Sequence, residues 1–170
     1  MRSTSNFPVS SSAAGERAAG PIRYVVPCGR LLYAAIFLAS IASHFSAQAV
    51  EHAASMGVPF ASLAVPLSGL LAFAGGLSIL LGFKARVGAW LIVLFLVPVT
   101  VMMHNFWAIG DPGAAQMQMV MFMKNVAILG GALMITYFGA GPVSVDAWLA
   151  SRAMRDDAQR RDAIGGHAHA

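Results

Sequence analysis

Four long apolar segments dominate this chain and leave few architectures open to it. They run from about 29 to 49, 60 to 83, 87 to 105 and 120 to 138. Each is near or above the roughly 20 residues a helix needs to cross a 30 Å hydrocarbon core. Lipid offers no hydrogen bonds, so segments of this length must satisfy their own backbones as helices. Strands of a membrane barrel would be about half as long and would alternate in polarity. Composition agrees, because only 11% of the 170 residues are charged, against about 25% in a water-soluble domain. The expectation is an all-α integral membrane protein, a four-helix bundle of two helical hairpins embedded in the lipid bilayer.

Basic residues set the orientation. Arg2, Arg17, Arg23 and Arg30 precede or open the first segment, and Lys84 and Arg86 lie between the second and third. Arg152, Arg155, Arg160 and Arg161 follow the fourth, whereas the connections at 51–59 and 106–119 contain neither Lys nor Arg. Of the eleven Lys and Arg residues, all but Lys124 therefore fall on one side. The positive-inside rule makes that side cytoplasmic, with both termini inside. The expected location is a bacterial cytoplasmic (inner) membrane, crossed several times. The net charge of +4 and pI near 9.8 do not indicate nucleic acid, since the basic residues flank apolar segments instead of forming a patch. Leu31–Phe45 followed by Ala47-Gln48-Ala49 has the outline of a signal peptide. Cleavage there would leave three helices and a C-terminus against the charge bias, so retention is expected.

The domain reading places a disordered cytoplasmic tail at 1–28, a four-helix unit at 29–141, and an interfacial short helix with a cytoplasmic tail at 142–170. Gly139-Ala140-Gly141-Pro142 ends the last span, as Gly and Pro commonly do. Ser144 then reads as the N-cap of a short helix carrying Trp148 at the interface. Helix contacts in lipid depend on small residues. Ser68, Ala72 and Gly76 form one such stripe, and Ala127, Gly130 and Gly131 offer another. The single cysteine, Cys28, excludes an internal disulfide and a cysteine metal cluster, and a buried small residue is expected there. The hairpins resemble each other weakly, with Gly75-Gly76 and Gly130-Gly131 in corresponding places.

Polar residues inside spans are costly and mark interiors or interfaces. Ser40, His44, Gln48 and His52 recur at intervals of four, which on a continuous helix makes one polar face. His104 and Asn105 reach the same side of the membrane, and Lys124 and Asn125 enter from it. The candidate polar pocket is therefore His44, Gln48, His104, Asn105, Lys124 and Asn125. A lysine at mid-membrane costs about 2.5–3.5 kcal/mol on insertion scales, so Lys124 either reaches back to the headgroups or lines the pocket. Such a pocket would take a quinone carbonyl at its polar end and an apolar tail among the helices. Met117, Met119, Met121 and Met123 alternate, which splits them between helix faces and argues against a Cu(I) site; no metal site is expected. No phosphate loop, hydrolytic triad or paired catalytic carboxylates are present.

The order of these features resembles the DoxX family of small bacterial membrane proteins. Gly29-Arg30-Leu31-Leu32 opens the first helix, and Gly75-Gly76 with Leu80-Leu81-Gly82 marks the second. His104-Asn105-Phe106-Trp107 closes the third, Lys124-Asn125 with Gly130-Gly131 marks the fourth, and Gly141-Pro142 with Ser144-Val145-Asp146 marks the exit. The resemblance implies a four-helix membrane subunit linked to thiosulfate:quinone oxidoreductase or redox-stress assemblies. Relatives often carry a glutamate before the second-helix Gly-Gly, where this chain has Ala72 or, in another alignment, Ser68. The chain shows no site for a flavin, haem or iron–sulfur cluster of its own, so quinone chemistry would need a redox partner subunit. The competing reading is a non-catalytic structural or assembly subunit. A carrier or channel is disfavoured, because the inner halves of the helices are nearly free of polar groups.

Overall fold

The computed structural model describes residues 20–167. Its helices are α1 (Val25–Ala39), α2 (Ala47–Ser55), α3 (Ala61–Leu81), α4 (Ala85–Met103), α5 (Pro112–Phe138) and α6 (Val145–His167). Among the described residues there is no strand. Among the described residues, four segments are long and apolar enough to cross a membrane: Pro21–Phe45, Ala61–Leu81, Ala85–Ala108 and Pro112–Phe138. Of the expected disordered tail at 1–28, residues 1–19 lie outside the described residues, as do 168–170; Pro21–Tyr24 form a 3-10 turn and α1 starts at Val25, so the first helix begins before residue 29.

Three further boundaries differ from the sequence reading, each for a local reason. The first span stops at Phe45 instead of continuing to residue 49. Ser40 and Ser43 turn their hydroxyls back onto the carbonyls of Phe37 and Ser40, at 3.1 and 2.7 Å. Such bonds compete with the helix ladder, and Ile41–Phe45 tightens to a 3-10 turn. Ser46 is then extended and caps α2, accepting from the Ala49 amide at 3.2 Å. The fourth span starts at Pro112, not residue 120, because Asp111 accepts from the Ala114 amide at 2.7 Å and Pro112 occupies the first turn. That pairing is a strong helix start. Ser144 does cap α6, accepting from the Ala147 amide at 3.1 Å, but α6 runs to His167 and is no short helix. Its Trp148 ring lies under the Arg152 guanidinium at 3.8 Å.

α3 and α4 form the centre of the bundle. A Cβ on Gly75 would sit 2.8 Å from the Gly88 carbonyl oxygen, so only glycine lets these backbones meet. Gly76 receives Phe37 of α1, whose Cβ would stand 3.0 Å from an added methyl. Phe37, Ala72, Ile79, Ala89, Ile92, Phe95, Leu96 and Ala132 make the core. The ring closes where Tyr33 of α1 donates to the Ile128 carbonyl of α5 at 3.0 Å. Gly131 provides the space for that tyrosine, but Gly130 faces open surroundings. The second small-residue stripe is thus only partly a packing surface. Cys28 is exposed, on the side of α1 away from buried Arg30 and Ala34.

The end of the bundle bearing Lys84 and Arg86, here the basic end, is tied by polar bonds. Arg30 is 7% exposed and donates to the carbonyls of Ala140 and Val143, both at 2.7 Å. Asp146 accepts from the Lys84 and Ala85 amides at 2.8 and 3.3 Å, capping α4. Its own amide donates to Gly82 at 2.9 Å. Gly82 has φ +65°, and any side chain there would run into the Arg30 guanidinium. Arg86 donates to the Tyr137 carbonyl at 3.1 Å.

Candidate functional site

At the opposite, histidine end the helices separate around a cavity of about 540 Å³. α3 contributes Val65, Ser68 and Leu71, and α4 contributes Phe95, Val99 and Met102. The 3-10 turn after α1 supplies Ser43 and His44, while α2 lies across the end with His52 and Ala53. His104 and Gln118 complete the polar part.

Two of the three cavity histidines are held by a neighbour. His44 Nδ1 lies 2.9 Å from the Ser40 carbonyl oxygen. Only a protonated nitrogen can bond there, so Nδ1 donates and Nε2 is left as an acceptor in the neutral ring. Its ring stands 5.9 Å from that of Phe95. Gly69 makes room for it, since a Cβ at that position would approach the His44 Cβ to 2.5 Å. His104 Nδ1 meets Gln118 Oε1 at 2.7 Å. Here too Nδ1 donates, Nε2 is the acceptor, and the bond joins the end of α4 to α5. Phe106, Trp107 and Phe122 pack as an aromatic trio beside it, with centroids 5.2–5.9 Å apart.

The structure brings His44 and His104 to one cavity, but not the other four sequence candidates. Gln48 lies on α2 and lines a shallow groove with Ser46 and Glu51 instead. The break at Ser46 is the cause, because Ser40, His44, Gln48 and His52 no longer share one helical face. Asn105 is half-buried and leads into the 3-10 turn Phe106–Ala108, its carbonyl accepting from Ala108 at 2.9 Å. Lys124 is exposed, with Nζ 3.6 Å from Met121 Sδ on its own helix. Asn125 is 6% exposed and faces the bundle two turns beyond Gln118. The residue pattern alone missed Gln118 and gave His52 no place in the pocket. The Asp111-Pro112 start was the available signal, for it places Gln118 inside the helix and on the face of Asn125, seven residues on. Among the described residues no group of three metal-ligating side chains gathers.

The DoxX family model matches residues 26–105, covering the first three spans through His104-Asn105. The chain is 36% identical over 99 residues to inner membrane protein YqjF of Escherichia coli (strain K12), covering 58% of this chain and 70% of that one. The chain belongs to the DoxX family. Inner membrane protein YphA of the same organism is 33% identical over 98 residues, 57% of this chain and 69% of that protein. No solved structure matches. With its four apolar spans, this DoxX protein is a multi-pass inner membrane protein. Ser68 lines the cavity and Ala72 is 1% exposed in the core.

Proposed function

We propose that this DoxX protein is a quinone-binding membrane subunit working with a redox partner, and that both of its termini are cytoplasmic. The observation that carries the reading is the cavity: apolar walls from α3 and α4, and one polar end made by His44, His52, His104 and Gln118. Its volume lies within the roughly 300–1,000 Å³ typical of small-ligand sites. The donor set suits the ligand. An imidazole Nε2 accepts from a quinol hydroxyl, and the same ring when protonated donates to a quinone carbonyl. A bound quinone would supply two-electron, two-proton chemistry, with the partner exchanging the electrons. His44 and His104 would hold the head and carry protons at Nε2, while Gln118 fixes the His104 ring. The orientation is supported by the basic residues gathered at one end.

Quinone binding by the full chain in nanodiscs tests this, comparing wild type with His104→Ala and Gln118→Ala. Saturable binding weakened about tenfold or more in His104→Ala, with helical content unchanged, is the expected result. Wild-type protein that binds no quinone overturns it. The His104–Gln118 bond, which ties α4 to α5, favours a second reading as a non-catalytic assembly subunit. That reading predicts no quinone binding and loss of helix or oligomer in both variants.

A further inference from the structure

The cavity reaches the outside of the bundle within the hydrocarbon layer. Leu67 of α3 and Leu94 of α4 line it, yet they are 52% and 60% exposed. Pro98 also lines it and is exposed. Residues that face both the cavity and the surroundings form a rim. Leu94 is the middle residue of α4 (Ala85–Met103), about 13 Å along the axis from its histidine end at 1.5 Å per residue. Leu67 is about 9 Å from the start of α3 by the same rise. In a hydrocarbon core about 30 Å thick, this side of the rim therefore lies among lipid tails and not at the headgroups.

Two features distinguish this stretch of α3 and α4. Their backbones meet at Gly75 and Gly88 toward the basic end, whereas Ser68 and Val99 stand on walls of the cavity. Pro98 has no amide hydrogen, so the Leu94 carbonyl loses its helical donor at the rim. This side of the rim is wholly apolar, in contrast to Ser43 and His52, which line the cavity at the histidine end and are exposed there.

We propose that the cavity opens sideways between α3 and α4, so that its ligand enters from the bilayer core and leaves a hydrocarbon tail lying across Leu67, Leu94 and Pro98. This deepens the quinone reading and rests on it for the head group: the ligand is a prenyl-tailed lipid quinone, not a water-soluble ring.

Two measurements on the full chain in nanodiscs separate the claims. The first uses a phosphatidylcholine with a photoreactive group near the end of its acyl chain, and maps labelled residues by mass spectrometry. Label on Leu71 and Val99 in wild type, reduced about fivefold or more in Leu94→Trp and Leu67→Trp, is expected, because an indole fills the gap. Leu63→Trp serves as control, being exposed on α3 without lining the cavity, and should label as wild type does. No label on Leu71 or Val99 in wild type overturns the opening, whatever quinone does. The second compares a decyl-tailed quinone with its tailless ring. Leu94→Trp should weaken the tailed probe about tenfold and leave the ring within about twofold. Equal effects on both probes overturn the tail path. Lipid label at Leu71 with neither quinone bound keeps the opening and removes the quinone reading alone.

Discussion

The two ends of the bundle are built from the same four helices by opposite means. At the basic end, glycines bring α3 and α4 into backbone contact, and Arg30, Arg86 and Asp146 tie loops to helices. At the histidine end, the first span breaks, Pro98 removes one helical hydrogen bond within a continuous α4, and α3 and α4 line a cavity. Stability therefore concentrates where polar groups bond to backbone in a crowded place. Binding capacity concentrates where polar side chains bond only to each other or to their own turn.

Substitutions can break this contrast. The largest stability effect should come from Arg30→Met, which removes two charge-assisted bonds to carbonyls at the buried end. A loss of about 3 kcal/mol is expected, read as the shift in a denaturation midpoint in mild detergent, with cavity ligands still bound by the folded fraction. Gly88→Leu follows at about 2 kcal/mol, since overpacking typically costs 1–3 kcal/mol; the same assay reads it. Asp146→Ala removes the cap on α4 and should cost about 1 kcal/mol. His104→Ala, at the open end, should change stability by less than these while weakening quinone about tenfold. Smallest of all, Lys124→Met should leave quinone affinity within about twofold, because the ammonium lies on the outside of α5. Equal stability losses at the two ends would dissolve the contrast. A large binding loss in Lys124→Met would mean that α5 rotates when the ligand binds.

What could be read in the sequence follows the same division. Apolar length and the placement of Lys and Arg reveal four spans, because hydrophobic thickness and backbone satisfaction act on each segment alone. Helix rotation is another matter. Lys124 and Asn125 are adjacent in sequence, yet one is exposed and the other 6% exposed, and only packing against α1 and α4 decides which. His44 and Gln48 share a face on paper, but Ser46 breaks the helix between them. Gln118 was legible in principle through Asp111-Pro112, and was hidden because polar Gln116 and Gln118 read as connection. A hydropathy profile reports depth in the membrane, whereas a binding site depends on which way each residue turns.

The Arg30 clamp also has a consequence for the order of synthesis. The carbonyls that receive its guanidinium belong to residues 110 and 113 positions later in the chain. When the ribosome has delivered the first span, and even the second and third, that cation has no internal partner. Only after the fourth span has been threaded and the chain has turned at Gly139–Gly141 can the Arg30 clamp form. A late segment thus completes the first, and a chain interrupted before residue 140 would leave the Arg30 guanidinium without both of its acceptors.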